Sequence, residues 1–473
     1  MKYTTISKNV AEIKTDALLI FAFENENWRV LPLPAKIKNY ICTAAVDPKD
    51  FTGKEAEFLI IPVQKQFPNL NRIVLVGLGK EDKYSTTVLR NVCGKTVRLL
   101  KNYPVKAVSL LVRKKLTGKY NLSRLGQTIV EGFKLGGYQF DTYKTKEDQN
   151  KKSELRKIEM VTGSAKEITG IRKGVKTGEI VSAAVILARD LANQPGNVAT
   201  PQMLAKSAKS MAEKAGLACE ILSEKKMQSL NMNALLAVAK GSSQPPALIV
   251  LEHKGAKKRE APIVFVGKGV TFDSGGISLK PGKCMDEMKF DMSGGATVIG
   301  IMQAVAQLKL NKNVIGIVPA VENLPDGKAA KPGDIVKSMS GTTIEILNTD
   351  AEGRMILADA LTFAEKYKPA AVINLATLTG AVVVALGHVA AGIMGNDDEL
   401  VDGIKKYAEI SGEKVWQFPL YDEYKEQIKS DVADIKNIAR NGAGVTTAGA
   451  FLSKFTEKYK WAHIDIAGVA WTN

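Results

Sequence analysis

The chain has 473 residues, of which 45% are apolar and 24% charged, and this ordinary globular composition excludes collagen-like, low-complexity and wholly disordered classes. Its length favours two or three domains. The formal net charge is +17, and the excess lies in residues 1–180, where 33 Lys and Arg face 18 Asp and Glu, against 33 and 31 in residues 181–473. The basic first part makes nucleic acid such as DNA a candidate partner, although a solvated lysine-rich surface gives the same charge count.

Apolar runs alternate with helical patterns over residues 1–150, which predicts a smaller N-terminal α/β domain with a largely parallel sheet. The expected strands are Ala17–Phe23, Phe58–Pro62, Arg72–Gly77 and Ala107–Val112, and the expected helices are Thr86–Lys101 and Leu122–Leu135. The segment Asp141–Lys157 is polar and rich in charged residues, so we expect a linker there. Residues 151–180 are assigned to this linker and to the connecting part of a long helix over Ala165–Asn193.

Longer apolar strands alternate with helices over residues 181–473, which predicts a larger C-terminal α/β domain with a central mixed sheet flanked by helices. The expected strands are Ala247–Glu252, Ile263–Val266, Val314–Val321 and Ala371–Leu375, and the expected helices are Pro201–Ala215, Gly295–Leu308, Arg354–Lys366 and Asp398–Ser411. In such folds ligands bind at the carboxyl ends of strands. The uncharged stretch 370–394 contains Asn, Thr, His and Gly residues, so we interpret it as strand, turn and helix and expect no membrane span.

Three short segments, each at the end of an apolar run, concentrate the charged residues of the second domain. They are GKGVTFDSGGISLK with Lys268, Asp273 and Lys280, then FDMSGG with Asp291, and NTDAEGRM with Asp350, Glu352 and Arg354. Taken alone, Asp291 before a glycine pair and a helix has the pattern of an N-cap residue. The i, i+2, i+4 spacing of the last three residues would place their side chains on one face of an extended strand end.

Four converging carboxylates would repel one another and raise each other's pKa. Two divalent cations would resolve that conflict, and an oxygen-rich ligand set suits zinc, manganese or magnesium. Two ions that share carboxylates can activate a bridging water and polarise a carbonyl. His253, His388 and His463 lie far apart and outside the three segments, so we do not expect an imidazole-ligated zinc site.

At these residues the sequence resembles the leucyl (cytosol) aminopeptidase family of two-metal peptidases. The block NTDAEGRM at Asn348–Met355 nearly matches the family signature NTDAEGRL, and Ala188–Pro201, Asn374–Ala381 and Trp461–Trp471 match further family segments. The resemblance covers residues 180–473 strongly and the front part weakly. It implies a metal-dependent aminopeptidase, a hydrolase that releases N-terminal leucine and other apolar residues from peptides by two-metal activated attack of water.

The resemblance also implies a role for each matching residue. Ligands of the tighter metal would be Lys268, Asp273, Asp291 and Glu352, and ligands of the exchangeable metal would be Asp273, Asp350 and Glu352. Lys268 would bind as a neutral amine because two adjacent cations lower its pKa. Lys280 would stabilise the oxyanion, and Arg354, with the backbone N–H groups of Ala351–Gly353 nearby, would hold a bicarbonate ion that acts as general base. Met288, Thr377 and Gly380 would line the pocket for the first side chain of the substrate, and Leu378 would make a backbone contact to the substrate.

Assembly and location are implied by the resemblance alone: a cytoplasmic homohexamer of two-domain subunits, with zinc or manganese in the site and magnesium as a further candidate. Family members usually continue past the position of Asn473 with a glycine-rich segment and a final helix, so the sequence is either truncated or from a lineage that is short here. Two alternatives stay open. One is nucleic-acid binding by the basic N-terminal domain, alone or beside peptidase activity, and the other is a catalytically inactive peptide binder.

Overall fold

The computed structural model describes residues 1–9, 12–26, 33, 35–43, 48–63, 67–117, 120–145 and 154–472, and the chain divides into two compact units, Met1–Ile186 and Leu187–Asn473. The domain bounds expected at residues 150 and 180 stay predictions, and part of the expected linker lies outside the described residues. Among the helices of the described ranges, none is long and apolar enough to cross a membrane.

The first unit is built on a six-stranded sheet in the order β1-β6-β5-β2-β4-β3, parallel throughout except where β3 pairs antiparallel with β4. Its strands are β1 (Lys2–Ser7), β2 (Thr15–Ala22), β3 (Phe58–Pro62), β4 (Leu70–Gly77), β5 (Ala107–Leu111) and β6 (Lys157–Thr162). Its helices are α1 (Ala35–Thr43), α2 (Thr86–Leu100), α3 (Lys114–Thr117) and α4 (Leu122–Gly136), with 3₁₀ helices at Pro48–Asp50 and Glu81–Lys83. The strands and helices predicted for this region are confirmed to within two residues at each end.

Two strands of this sheet are not predicted by the sequence. β1 is largely polar and buries only alternate residues, and β6 begins at Lys157, the last residue of the stretch expected to be a linker. The two strands pair with each other in parallel, and β6 buries the apolar side chains of Ile158, Met160 and Val161. The predicted long helix is confirmed as α5 (Ala165–Ala192), which carries the chain from the first unit into the second.

The second unit is built on a nine-stranded mixed sheet in the order β16-β15-β18-β14-β9-β11-β8-β7, with β10 paired to β11, and it also contains a small sheet β12-β13-β17. Its strands are β7 (Ala218–Leu222), β8 (Ala247–Lys254), β9 (Ile263–Gly267), β10 (Gly269–Asp273), β11 (Asn313–Asn323), β12 (Ile335–Lys337), β13 (Thr343–Glu345), β14 (Ala371–Ala376), β15 (Ala391–Gly395), β16 (Val415–Gln417), β17 (Ile435–Lys436) and β18 (Trp461–Asp465). Its helices are α6 (Pro201–Ala215), α7 (Glu224–Ser229), α8 (Asn233–Ala239), α9 (Ser293–Gln307), α10 (Glu352–Ala364), α11 (Gly380–Leu386), α12 (Asp398–Ser411), α13 (Asp422–Glu426) and α14 (Gly444–Ser453), with 3₁₀ helices at Met285–Met292 and Glu365–Tyr367. The strands and helices predicted here are confirmed, with ends that differ by at most two residues.

Helices cover both faces of the large sheet. Successive side chains of a strand point to opposite faces, so one strand can pack against both layers of helices. On β8, Leu248 and Val250 pack in one apolar cluster with α8, α10 and α14, whereas Ile249 and Leu251 pack in another with α6 and α9. At the centre, β18, β14, β9, β11 and β10 all run parallel. Their carboxyl ends therefore meet at one edge of the sheet, which is where ligands bind in this class of fold.

Candidate metal centre and active site

The central parallel strands end in the charged segments singled out from the sequence. Lys268 follows β9 directly, Asp273 is the last residue of β10, and Thr377 follows β14. Lys268 Nζ donates to the carbonyl oxygen of Thr377 at 2.9 Å, although the two residues are far apart in the chain. The sheet order thus brings the first charged segment next to the turn after β14.

The NTDAEGRM segment reaches the same edge from the start of a helix. Because α10 begins at Glu352, the prediction that Asp350, Glu352 and Arg354 share one face of an extended strand end is wrong. Glu352 Oε1 lies 2.7 Å from Lys268 Nζ. The next residue must be small, since a Cβ on Gly353 would lie 2.6 Å from Lys268 Cε.

Lys268 lies at the centre of a buried charge cluster. Its Nζ is 2.7 Å from Asp291 Oδ1 and 2.7 Å from Glu352 Oε1, and its side chain is 4% exposed. Burial acts to lower the pKa of this ammonium group, but the negative charges of Asp291, Glu352 and Asp273 outweigh burial and raise the pKa above its ordinary value. Among these carboxylates alone Lys268 is a cation, so a neutral amine would require the added positive charge of neighbouring metal ions.

Lys280 pairs with the other carboxylates of the cluster. Its Nζ lies 2.9 Å from Asp273 Oδ2 and also pairs with Asp350 Oδ1. The chain returns from Asp273 to Lys280 through a tight turn in which Gly275 has φ +89°, and a Cβ there would lie 2.4 Å from the carbonyl oxygen of Ser278. The glycine in this turn is therefore what allows Lys280 to return beside Asp273.

Asp291 is a buried member of the charge cluster and does not cap a helix. It lies in the 3₁₀ helix Met285–Met292, and α9 begins at Ser293 without a side-chain cap, so the N-cap interpretation is wrong. Asp291 Oδ1 accepts a hydrogen bond from Thr377 Oγ1 at 2.7 Å. Its Oδ2 atom is buried and has no hydrogen-bond partner among the described residues. An unpaired buried carboxylate oxygen is costly unless a positive group binds there.

The cluster carries more negative than positive charge, because the four carboxylates of Asp273, Asp291, Asp350 and Glu352 outnumber two lysine ammonium groups and the buried guanidinium of Arg354, which interacts with Glu352. Burial and repulsion from Glu352 raise the pKa of Asp273, and burial and repulsion from Asp273 raise that of Asp350. Burial raises the pKa of Asp291 well above its ordinary value, despite the opposing charge of Lys268. Asp273, Asp350 and Glu352 each offer one oxygen, and these oxygens lie within 4.8 Å of one another. This donor set fits divalent cations.

Arg354 is buried and bonded to the backbone. Its Nη1 donates to the carbonyl oxygen of Asn437 at 2.7 Å, whereas its buried Nε has no partner within the described ranges. Burial lowers the pKa of the guanidinium to about 10, against the opposing effect of Glu352. The N–H of Ala351, which the resemblance placed near a bound anion, donates to the carbonyl oxygen of Asn348 at 3.3 Å. Arg354 Nε is therefore a buried donor that is available to an anion.

The expected substrate-binding positions lie on two of these segments. Met288 is half-buried in the 3₁₀ helix that carries Asp291. Thr377 and the half-buried Leu378 belong to the turn between β14 and α11, and the exposed Gly380 is the first residue of α11. A Cβ at Gly380 would meet no atom within 4 Å, so this position borders open space. The contact of these residues with a substrate stays a prediction.

The histidines are bonded elsewhere in the fold. His253 Nε2 lies 2.9 Å from the carbonyl oxygen of Leu310, and His388 Nδ1 lies 2.8 Å from that of Gly468. His463 is fully buried, and burial lowers the pKa of its imidazole to about 3. The cluster of ligand atoms found in the described ranges consists of carboxylates.

Two family models match this chain. The model of the catalytic domain of the cytosol aminopeptidase family matches residues 186–473, and the model of the N-terminal domain of the same family matches residues 20–147. The chain belongs to the cytosol aminopeptidase family. The resemblance inferred from the sequence segments is confirmed, and it extends into the first unit.

Similar proteins agree with this family over most of the chain. The cytosol aminopeptidase of Pseudomonas aeruginosa is 46% identical over 89% of this chain and 85% of its own length, and a probable cytosol aminopeptidase of Syntrophotalea carbinolica is 44% identical over 97% and 92%. Among solved structures, a mutant of tomato leucine aminopeptidase has a TM-score of 0.89 at 34% identity, with 100% of this chain and 93% of that chain covered. The bottromycin maturation enzyme BotP in complex with Mn has a TM-score of 0.83 at 30% identity, with 97% and 93% covered.

Membership of the cytosol aminopeptidase family makes the protein a metal-dependent aminopeptidase, a hydrolase that removes N-terminal residues. The predicted two-domain α/β fold is confirmed by the two units and by the leucine aminopeptidase neighbour. No comparison supports the nucleic-acid alternative, which rests on the charge count alone.

Sequence reasoning missed two buried side chains of this aminopeptidase site. Asn323, at the end of β11, donates from Nδ2 to Asp273 Oδ1 at 2.9 Å and to the carbonyl oxygen of Thr349 at 3.0 Å, so it ties the Asp273 turn to the segment before Asp350. Asp465, at the end of β18, accepts hydrogen bonds from the turn after β14. The available signal was a polar residue at the carboxyl end of an apolar strand, the pattern that marked Asp273.

Proposed function

We propose that the protein releases N-terminal leucine and other apolar residues from peptides by attack of water at a centre of two divalent ions. The observation that carries this proposal is the excess of negative charge, in which four carboxylates outnumber two lysine ammonium groups and the guanidinium of Arg354. Buried carboxylates without compensating charge destabilise a fold, and divalent cations would supply that charge. Zinc and manganese suit the donors, with magnesium as a third candidate, and the Mn complex of BotP supports manganese.

The side chains present fit two ions that share ligands. The tighter ion would be held by Lys268, Asp273, Asp291 and Glu352, and the exchangeable ion by Asp273, Asp350 and Glu352. The buried Oδ2 of Asp291, which lacks a partner among the described residues, supports its place in this set. When bound, the ions would lower the pKa of the attacking water and polarise the scissile carbonyl.

Lys280 would stabilise the negative charge that develops on the carbonyl oxygen. Asp273 and Asp350 hold its ammonium group, and the side chain is 21% exposed, so the group is fixed yet open to a substrate. Burial opposes the charged form, but Asp273 and Glu352 outweigh it and raise the pKa, so Lys280 stays an ammonium group near neutral pH. A cation that is already in place needs no reorganisation during the reaction.

Arg354 would hold a bicarbonate ion. Its Nε is a buried donor with no partner in the described part of the chain, and a buried donor of this kind favours an anion. Bicarbonate bound there would supply the general base of the reaction. This role is implied by the family resemblance and is supported by the position of Arg354 in the first turn of α10.

Met288 and the turn Thr377–Gly380 would contact the first residue of the peptide. Thr377 is fixed by its bonds to Asp291 and Lys268, so the turn has a defined position relative to the proposed ions. The partly buried apolar side chain of Met288 supports a preference for apolar first residues, whereas Leu378 would contact the substrate through its backbone.

The proposed assembly is a homohexamer in the cytoplasm, as the resemblance implies, and the name of the Pseudomonas aeruginosa relative supports that location. DNA binding by the basic first unit has no support beyond its charge. A gel shift with duplex DNA at low salt tests it, because electrostatic binding is strongest there. The absence of a complex would remove the idea.

Release of p-nitroaniline from leucine p-nitroanilide tests the proposed function. Removal of bound metal with a chelator is expected to abolish release, and added Zn²⁺ or Mn²⁺ is expected to restore it. Elemental analysis of the same samples gives the number of ions per chain. Undiminished release from protein shown to be free of metal would overturn the proposal.

A further inference from the structure

Asp465 lies at the end of β18, beside the turn that follows β14. The two strands pair in parallel with Ala376 opposite Asp465, so both end at the same edge of the sheet. Asp465 Oδ1 accepts the backbone N–H of Leu378 at 3.1 Å, and Oδ2 accepts the hydroxyl of Thr379 at 2.7 Å. Oδ1 also accepts the N–H of Ala467 at 3.2 Å. One carboxylate therefore fixes the backbone that follows both strands.

The carboxylate of Asp465 is fully buried, and the groups bonded to it are neutral donors. The buried guanidinium of Arg354 is a positive charge that interacts with this carboxylate. Burial of the carboxylate is nevertheless costly, because an apolar side chain would pack there without a desolvation cost. The hydrogen bonds are what this residue adds. Those to Leu378 and Thr379 all act on one turn.

The other side of the same turn is bonded to proposed metal ligands. Thr377 Oγ1 donates to Asp291 Oδ1 at 2.7 Å, and the carbonyl oxygen of Thr377 accepts a hydrogen bond from Lys268 Nζ at 2.9 Å. The turn is thus held between Asp465 and the charge cluster. Leu378, a proposed substrate contact, lies in the part of the turn that Asp465 fixes, and Gly380, another proposed contact, follows directly as the first residue of α11.

We propose that Asp465 is a positioning residue of the aminopeptidase, which holds the Thr377–Thr379 turn in register with the metal centre so that the turn binds the first residue of the peptide. This inference rests on the proposed function of the site. Asp465 does not touch the reacting atoms and acts through Leu378 and Thr379. A displaced turn would weaken contacts that the substrate makes both when it is bound and in the transition state, and the loss of such contacts raises KM more than it lowers kcat.

The chemistry of the turn requires a carboxylate rather than an amide. The Thr379 hydroxyl accepts the N–H of Val382 at 3.0 Å while it donates to Asp465 Oδ2, so its donor and acceptor functions are both used. Asp465 only accepts hydrogen bonds. An amide of the same size offers one accepting oxygen and an NH₂ donor, so Asp465→Asn cannot satisfy the donors on both of its sides.

The test is the kinetics of Asp465→Asn in the full chain at saturating Mn²⁺. We expect the KM for leucine p-nitroanilide to rise about tenfold or more, with a smaller change in kcat, because substrate positioning and not the ions is disturbed. A KM within twofold of wild type, or a change in kcat alone, would overturn the proposal. If the wild-type enzyme released p-nitroaniline without metal, the proposed function and this inference would both be wrong. If the wild-type enzyme is active and metal-dependent but the variant has a normal KM, this inference alone is wrong.

Asp359→Asn is the matched control. Asp359 is also fully buried and accepts backbone N–H groups, from Leu235 at 2.9 Å and Met339 at 2.8 Å, but it lies within α10 and outside the proposed machinery. We expect this variant to lose thermal stability and keep the wild-type KM. An equal rise in KM in both variants would show that any lost buried carboxylate has this effect, and would overturn the positioning role.

A second pair of variants keeps the test decisive if Asp465→Asn does not fold. Thr379→Val removes the hydroxyl that bonds to Asp465, and Thr379→Ser retains it. We expect Thr379→Val to raise the KM and Thr379→Ser to recover most of that loss. Equal KM values for the two variants would contradict the proposal, because the hydroxyl would then have no part in holding the turn.

Discussion

Buried charges are arranged differently in the two units of the molecule. In the first unit Arg113 forms a bidentate pair with Glu26, at 2.8 Å from Nη1 to Oε1 and 2.9 Å from Nη2 to Oε2. Arg90 pairs with Glu131 at 2.8 Å. Each of these carboxylates has a guanidinium of its own. In the second unit four carboxylates share two lysines at the edge of the central sheet.

This difference separates charges that hold a fold from charges that bind something. A matched pair fixes two segments and needs no further partner, whereas a buried excess of one sign is costly until a counter-charge binds. The net charge of a whole region says little about where the chemistry lies. Residues 181–473 hold 33 basic and 31 acidic residues and are nearly neutral, yet they contain the unbalanced cluster.

Asp350→Asn would disturb the unbalanced cluster most strongly, because it removes a proposed ligand of the exchangeable ion and a partner of Lys280. We expect kcat/KM for leucine p-nitroanilide to fall about a thousandfold or more. Steady-state kinetics at saturating Mn²⁺ measure the change. Asp422→Asn, at an exposed ion pair with Lys425, is the control and should keep wild-type values. A fall of less than tenfold would contradict the proposed role of Asp350.

Lys280→Ala tests one of the two lysine ammonium groups that pair with the four carboxylates. We expect kcat to fall about 10²- to 10³-fold with little change in KM, because an ammonium group that acts on the developing oxyanion contributes mainly in the transition state. Lys312→Ala, which breaks an exposed pair with Glu260, should leave both constants unchanged. If Lys280→Ala raised KM and spared kcat, Lys280 would be a substrate-binding group instead.

Asn323→Leu removes the amide that orients Asp273 without removing any charge. We expect the affinity for Mn²⁺ to fall about ten- to a hundredfold, which is the usual effect of losing a side chain that orients a metal ligand. Asn396→Leu is the matched control, because Asn396 bonds to the backbone of Tyr459 and Trp461 away from the carboxylates. The control should lose stability and keep its metal affinity, and equal metal affinity in both variants would count against the role of Asn323.

Arg113→Met tests the balanced side of the comparison, where we expect no effect on the kinetics of the folded enzyme. Glu26 is half-buried and also lies 3.9 Å from Lys115, so removal of Arg113 should lower the free energy of unfolding by about 1–3 kcal/mol, measured by denaturant titration. Burial alone would raise the pKa of Glu26, but the bonds from Arg113 outweigh burial and hold that pKa below its ordinary value of 4.5. The stability from this pair is therefore present above pH 4.5 and lost as the pH falls through the folded pKa.

The decrease in the free energy of unfolding caused by Arg113→Met should therefore become smaller as the pH is lowered. Denaturant titrations of wild type and variant near neutral pH and below pH 4.5 measure the two differences. A loss that stays constant or grows in acid would show that Arg113 acts through packing and not through the charge of Glu26.

Much of the fold and part of the site could be predicted from the sequence because apolar strands and the polar residues at their ends are local patterns. β9 and β14 are apolar runs, and Lys268 and Asp273 follow or end such runs. The sequence could not show that Asp350 and Glu352 approach from a helix start, since a spacing of two residues does not fix the backbone. The interpretation as a strand end failed for that reason.

Contacts between segments that are distant in the chain could not be predicted from the sequence either. Thr377 meets Asp291 and Leu378 meets Asp465 across separations of 86 and 87 residues. These contacts depend on the position of β14 between β9 and β18. The sequence of a single strand does not predict the order of the strands in a sheet. The same limit hid Asn323, whose partners lie on two other segments.

Titration of the chelator-stripped protein with Mn²⁺ in a calorimeter tests the central claim most directly, because it counts the ions that the unbalanced cluster binds. We expect two ions per chain for wild type and for Arg113→Met, and one for Asp350→Asn. A wild-type protein that hydrolyses leucine p-nitroanilide and binds no divalent ion would contradict it.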